Sequence, residues 1–370
     1  MKYDYLIVGS GLAGAVFARE ATARGKRCLV IEKRTRTGGN IRCENREGIH
    51  VHLYGAHIFH ANRRETWEYV NRLVPFHHFV NSPLAYYRGR LFNLPFNMNT
   101  FYQLWGCVTP AEAREKIARQ VEEAAIDGEP KNLEEQALAL CGRDIYLTLV
   151  KGYTEKQWGR DATTLPPGII RRIPLRYTFN NNYFNDPYQG IPDGGYNALV
   201  EALLEGVEVK TGCDFFDDRP YFEGVAGRIL YTGRVDDFFN RSIGTLEYRG
   251  LHFEHQLLEQ PDFQGNAVVN YTEREVPYTR IIEHKHFEPG NQPCTVITRE
   301  YPGEYSRDHE PYYPVNDARN EALLDGYREL ARANERVIFR GRLAEYKYHD
   351  MDDTVESILQ LVKTEFHEDN

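Results

Sequence analysis

The stretch "YLIVGSGLAGAVFA", Tyr5 to Ala18, decides the fold. "YLIV" is a short apolar run with strand character, and "AVFAREATA" beyond the glycines reads as a helix. Between them Gly9, Gly11 and Gly14 form G-x-G-x-x-G. Gly9 permits the tight turn, Gly11 lets backbone approach a pyrophosphate, and Gly14 allows close helix–strand packing. The helix N-terminus offers unpaired N–H groups and a positive dipole end to phosphate. A second apolar strand, "RCLVIEK", ends at Glu32, where an acid can accept hydrogen bonds from an adenosine ribose. Strand, glycine turn, helix, strand and acid in this order predict a dinucleotide-binding α/β domain of the Rossmann type.

The rest of the chain is too long for that unit alone. Its 370 residues suggest two or three domains. A strand that starts at Tyr3 leaves no room for a signal peptide, and no apolar run is long enough to span a membrane. The six cysteines are scattered with no C-x-x-C pair, which fits reduced thiols in a cytoplasm. A net charge of −9 argues against a nucleic-acid partner. An anionic substrate must therefore find its positive charge locally, against the global field.

Thr109-Pro110-Ala111-Glu112 is a capping box with proline at the first helical position, and "AEAREKIARQVEEAA" is the amphipathic helix it starts. Asn132 caps a further helix that Gly142 is expected to end. Residues 143–151 continue helically into "KGYTEKQWG", and residues 246–283 alternate as strands do. The expected architecture is an FAD-binding Rossmann-like domain with a helical insertion and an antiparallel β-sheet domain. The nucleotide domain is expected from 1–80, 191–245 and 290–370. Residues 97–170 form the helical substrate domain with a mobile loop. Residues 81–96, 171–190 and 246–289 form the antiparallel sheet domain.

Gly38-Gly39 follows Glu32, and a second glycine turn there lets backbone meet the distal part of a long cofactor, a pattern of FAD more than of NAD. "HDMDDTVES" points the same way. Asp350 to Thr354 introduces the last helix, whose N-terminus can stabilise negative charge on a flavin ring. His50, His52, His57 and His60 have no H-E-x-x-H spacing and no cysteine partner, so no metal is expected. His57 and His60 fit as lining for the flavin ring, and "EHKHF" at 283–287 reads as structural.

Taken together, "GSGLAGAV", "EKRTRTGGN", "YGAHIFH", "KGYTEKQWG", "NNYFND", "YTGRVDDFF", "NYTEREVPYTRIIEHKHF", "PYYPV" and "GRLAEYKYHDMD" resemble the bacterial UDP-galactopyranose mutase family over nearly the whole chain. The resemblance implies an isomerase that interconverts UDP-galactopyranose and UDP-galactofuranose on reduced FAD. There is no net redox change, and the flavin N5 is the nucleophile at the anomeric carbon. It implies Arg172 and Arg280 as the pair that clamps the diphosphate, for which planar guanidinium forks are suited. Arg171 and Arg176 stand beside the first of these. Uridine falls to "LVKGYTEKQWG", hence to Leu149, Tyr153, Thr154 and the loop residue Trp158. Leu149 and Val150 stand where the family often has two phenylalanines. Asn81, Tyr183, Asn270, Glu300, Tyr313 and Tyr348 match other substrate positions. The matching cofactor positions are Gly9, Gly11, Leu12, Gly14, Glu32, Lys33, Gly39, Asn40, His57, Ile58, His60, Arg342, Asp350, Met351 and Thr354. The resemblance also implies a cytoplasmic homodimer and an external reductant such as NAD(P)H or a reductase.

Two other classes share part of this pattern. A flavin oxidase or amine-oxidase-like dehydrogenase would share the glycine turns and Glu32 but has no use for an arginine pair beside a uridine segment. A non-catalytic nucleotide-binding module needs no loop tryptophan beside such a pair.

Overall fold

The computed structural model describes residues 2–170, 175–304 and 310–367. A five-stranded parallel sheet runs in the order Glu208–Thr211, Cys28–Glu32, Tyr3–Val8, Ala226–Tyr231, Val337–Phe339. Its central strands are continuous apolar runs because both faces are covered. Tyr5, Ile7 and Val30 face the helices Leu12–Ala23 and Met351–Glu365. Leu6, Leu29 and Ile31 face a cluster built around Phe215, Phe222 and Phe238. The strands come from the beginning, middle and end of the chain, so this unit is assembled from discontinuous segments.

A seven-stranded sheet holds Pro311–Pro314, Tyr248–Leu258, Thr295–Glu304, Arg280–Glu283, Val268–Tyr271, Leu84–Tyr87 and Arg90–Asn93, in that order. Neighbours are antiparallel except Val268–Tyr271 beside Leu84–Tyr87, which are parallel. Thr295–Glu304 and Pro311–Pro314 were expected in the nucleotide domain and lie here instead. The reason is ladder pairing: Tyr248–Leu258 takes Thr295–Glu304 on one edge and Pro311–Pro314 on the other. A second difference concerns Tyr188–Pro192. It pairs with Phe59–Ala61 and Phe76–His78 in a separate three-stranded sheet rather than joining the larger one.

The helical insertion begins with two capping boxes. Asn97 caps Met98–Trp105 with Thr100 as its reciprocal partner, and Thr109 caps Pro110–Ala124 with Glu112. Asn132 caps Leu133–Ile145 through the Glu135 N–H. Gly142 breaks this run into two helices, as its position after the first predicts. It sits inside with φ 76°, kinks the axis, and helical turns resume. The wide π turn Tyr146–Val150 follows, then the helix Lys151–Trp158. Gly152 lets that last helix press on the sheet domain, for a Cβ there would lie 2.3 Å from the Thr272 carbonyl oxygen.

Candidate active site

The glycine turn has the geometry its sequence calls for. Gly9 has φ +101°, and a Cβ on it would lie 2.2 Å from Thr232 Oγ1. A Cβ on Gly14 would lie 2.0 Å from the Gly9 carbonyl oxygen, so helix and strand touch through glycine. Gly11 differs. Its φ is an ordinary −68°, and a Cβ would meet only the Gly39 Cα, at 3.8 Å. No atom of the described residues requires glycine there, and its bare face leaves room for a ligand to approach. The helix Leu12–Ala23 has no side-chain cap and no acid in its first turn, so its leading N–H groups are free for an anion.

Glu32 is 5% exposed at the end of its strand. Its Oε2 accepts from the Ser10 N–H at 3.0 Å and hydroxyl at 2.7 Å, and its Oε1 accepts from the Arg34 N–H at 3.0 Å. Arg34 donates to Asn40 Oδ1 at 3.0 Å, pairs with Glu310 at 3.1 Å, and lies over the Tyr54 ring at 4.4 Å. Burial alone would discourage its charge, but Glu310, Tyr54 and Glu32 together outweigh this and its pKa is raised. A cavity of about 640 Å³ lies above these groups. Gly9, Gly11, Leu12, Glu32, Lys33, Gly39, Asn40, His57, Arg342, Met351 and Thr354 line it, and Gly14 stands behind the turn. The free helix end, the bare Gly11 face and the buried acid fit a dinucleotide.

A second cavity, about 310 Å³, shares Asn40, His57, Arg342 and Met351 with the first, so the two are contiguous. It gathers Asn81, Tyr153, Tyr183, Asn270, Arg280, Glu300, Tyr313 and Tyr348. Ile58, His60 and Asp350 also line this second space. Arg280 is its central cation. Its Nη2 donates to the Tyr153 hydroxyl at 2.6 Å, and its Nε lies 3.1 Å from Glu300 Oε1. That approach is not aligned as a hydrogen bond, so charge holds the pair. Burial opposes the charge on Arg280, and Glu300, Tyr153 and Tyr313 more than compensate, leaving its pKa well above the usual value. Glu300 is 3% exposed and also accepts from Thr279 Oγ1 at 3.0 Å.

The phenols around Arg280 stay protonated. Burial raises the pKa of Tyr153, Tyr313 and Tyr348, so each presents a neutral O–H. Tyr313 and Tyr348 stack with centroids 5.9 Å apart, and Arg342 covers the other ring at 4.6 Å. Asn270 Oδ1 is buried without a partner among the described residues. Burial pushes the pKa of His57 down to about 4, so it is neutral, and its Nδ1–H donates to the Gly55 carbonyl at 2.8 Å. His60 bonds Asp186 at 2.5 Å and stacks on Phe184 at 3.8 Å. No serine, cysteine, threonine or lysine is among the described residues lining this cavity.

Three expected uridine residues lie outside it. Leu149 is packed in the helical core on the π turn, Thr154 is buried in the following helix, and Trp158 lies against the same core. Arg172 and Arg171 lie outside the described residues. Arg176 is used structurally: it bonds the Asn182 and Tyr183 carbonyls and the Asn185 side chain, bracing the segment that carries Tyr183. Arg249 lines neither cavity and braces the helix that carries Tyr153. Its Nε donates to the Gln157 carbonyl at 3.0 Å, just before Trp158, and burial lowers its pKa. No local motif marks it, because strand Tyr248–Leu258 meets this helix only in three dimensions.

The chain is similar to known proteins over nearly its whole length. The family model described as UDP-galactopyranose mutase matches residues 148–348, and a model described as NAD(P)-binding Rossmann-like domain matches residues 7–73. A protein named "Probable UDP-galactopyranose mutase" from Klebsiella pneumoniae is 37% identical over 96% of this chain and 93% of its own. A dTDP-fucopyranose mutase from Escherichia coli is 34% identical over 96% of each chain. The crystal structure of a reduced UDP-galactopyranose mutase superposes with a TM-score of 0.74 at 13% identity, covering 100% of this chain and 96% of the other. The match to the family model over more than half the chain, with relatives this similar from end to end, makes the chain a member of the UDP-galactopyranose mutase family of isomerases.

Proposed function

We propose that the protein interconverts UDP-galactopyranose and UDP-galactofuranose with FAD in the larger cavity and the sugar nucleotide in the smaller one. The observation that carries this reading is the second cavity itself. It holds a partly buried arginine and a ring of neutral phenols, opens onto a dinucleotide cradle, and has no lining serine, cysteine, threonine or lysine among the described residues. Reduced flavin bound beside it would supply the nucleophile, its N5, at the anomeric carbon, with no net redox change.

The chain's own residues then bind and shield. Arg280, with Arg172 on the segment before Tyr177, holds the diphosphate through charge-assisted forks. Tyr153, Tyr313 and Tyr348 donate to phosphate oxygens without adding charge. A retained diphosphate keeps the nucleotide in place while the sugar ring opens and closes. Trp158 and the loop after it close over the nucleotide and exclude water. The N-terminus of the helix Met351–Glu365 would lie beside the flavin, where its dipole would favour negative charge on the reduced ring against the opposing field of Asp352 and Asp353 in its first turn. In this reading the protein is a cytoplasmic homodimer that receives electrons from NAD(P)H or a reductase.

The test uses flavin-loaded protein reduced with dithionite. UDP-galactopyranose should equilibrate with the furanose form without consuming oxidant. Oxidant-dependent turnover would favour a dehydrogenase instead. The similarity to a dTDP-fucopyranose mutase supports a second reading, in which the substrate is a dTDP-6-deoxyhexose. Parallel assays with dTDP-fucopyranose separate the two by their kcat/KM ratio.

A further inference from the structure

The short strand Pro311–Pro314 touches both cavities. Glu310 and Pro311 line the larger one, and Tyr312 and Tyr313 line the smaller. It is an edge strand, paired on one side only, with Tyr248, Arg249 and Gly250, and the register shifts within that pairing. Pro311 and Pro314 have no N–H to give to a ladder. Backbone pairing therefore holds Tyr313 weakly, and side chains complete its support.

These side chains come from the far end, the middle and the near end of the strand. The Tyr346 hydroxyl accepts the Val315 N–H at 3.0 Å. Arg342 Nη2 donates to the Tyr312 carbonyl at 2.9 Å. The Glu310 carboxylate meets Arg34 at 3.1 Å and Lys33 at 3.3 Å. Burial opposes the charge on Glu310, but Arg34 and Lys33 outweigh it and its pKa is lowered. Both cations follow Glu32 directly and line the larger cavity. Arg34 also covers the Tyr54 ring at 4.4 Å and donates to Asn40 at 3.0 Å, and both of those residues line the smaller cavity. Glu310 thus joins the dinucleotide cradle to the strand that presents Tyr313.

We propose, on the reading that FAD fills the larger cavity and the sugar nucleotide the smaller, that Glu310 is a positioning residue which couples cofactor occupancy to sugar-nucleotide binding. A cofactor packed against Lys33 and Arg34 restricts both cations. Their shared carboxylate is fixed with them, and the strand then holds Tyr313 beside Arg280, where a phosphate is bound. The effect is mutual by linkage: the nucleotide tightens the cofactor by the factor with which the cofactor tightens the nucleotide.

The test uses the full-length, flavin-loaded protein. The Kd for FAD is read from the fluorescence released on dilution, with and without saturating UDP. UDP should tighten FAD binding at least about fivefold in the wild type. Glu310→Gln keeps the shape and removes the charge, and the factor should fall below about twofold. The same variant should raise KM for the sugar nucleotide about fivefold with kcat changed less than about twofold, the pattern of lost uniform binding. Glu310→Asp keeps the charge and should recover part of the factor. Asp325→Asn, which breaks an exposed pair with Arg328 outside both cavities, should change none of these. A merely structural role for Glu310 would lower the Tm and leave the factor intact. An unchanged factor in Glu310→Gln, or no effect of UDP on FAD affinity in the wild type, overturns the proposal. Wild-type protein that binds no FAD or no UDP overturns the functional reading itself, and the coupling with it.

Discussion

Arg280 and Glu300 face each other across neighbouring antiparallel strands, directly opposite in register, with Nε 3.1 Å from Oε1 at the floor of the second cavity. Glu300 is buried and Arg280 is partly buried beside it, so loss of either leaves the other charge poorly compensated. Arg280→Ala should lose most turnover, on the order of a hundredfold or more, while bound flavin absorbance is retained. Arg280→Lys should fail substantially too, because an ammonium cannot reach Tyr153, Glu300 and a phosphate with one planar fork. Glu300→Ala should cost stability, about 3–5 kcal/mol, by leaving the guanidinium uncompensated. Steady-state kinetics with flavin spectra, and denaturant melts for the last variant, check all three. Near-normal rates in both arginine variants would remove Arg280 from the site.

The face of Gly11 is needed by a ligand rather than by the fold. Gly11→Val should therefore leave the apoprotein's Tm close to the wild type and abolish flavin binding. Gly14→Val should instead damage folding, since its Cβ would collide with backbone. Circular dichroism and the flavin-to-protein absorbance ratio distinguish the two. Equal flavin content in Gly11→Val and wild type would contradict the cradle.

The proposed loop closure makes Trp158, which lies outside the cavity against the helical core, the tryptophan expected to respond to substrate. Trp67 is packed among Phe59, Phe76 and Tyr188, and Trp105 is tied to Asp144 by a 2.8 Å hydrogen bond. Adding UDP should change tryptophan emission, and Trp158→Phe should lose most of that change. An undiminished response in the variant assigns the signal to another ring.

His52 and His284 are buried and neutral. Burial first, and neighbouring histidines next, hold both well below their usual pKa. The His57 N–H donates to His52 Nδ1 at 3.1 Å, and the His52 N–H donates to His284 Nδ1 at 3.1 Å, so a proton on either Nδ1 would displace a backbone donor. Below about pH 6.5 the unfolded chain takes up protons that the folded chain refuses. Each such histidine then removes up to about 1.4 kcal/mol of stability per pH unit as pH falls, with no effect above that range. Urea melts from pH 7.5 to 5 should show this slope, shallower in His284→Gln. A flat profile over that range contradicts the assignment.

Reduced 5-deaza-FAD keeps the shape of the cofactor and lacks the N5 lone pair. Protein reconstituted with it should bind the sugar nucleotide and not isomerise it. Turnover at the wild-type rate would return the nucleophile to a side chain, with His57 and Glu300 the groups at hand.

Some of this was legible in the chain because its causes are local. Gly9 is dictated by its own positive φ, Gly14 by the Gly9 carbonyl in the same turn, and the caps at Thr109 and Asn132 by hydrogen bonds three residues long. The acid at the end of the second strand follows from strand length and period. Gly142 is local in the same way: its positive φ breaks the helix there, and the turns beyond it resume because they find burial in the helical core.

The sequence by itself determined the nucleotide cradle, from strand Tyr3–Val8 through Glu32, and the family resemblance that named its neighbours. Only the tertiary structure decided that strands Thr295–Glu304 and Pro311–Pro314 join the larger sheet, since ladder pairing with Tyr248–Leu258 is a long-range choice. It also decided which members of "LVKGYTEKQW" face the cavity. The π turn at Tyr146–Val150 shifts the helical phase, so Leu149 turns into the core while Tyr153 reaches Arg280. Local rules dictate backbone conformation, but the direction of a side chain into a shared cavity depends on packing among segments far apart in the chain.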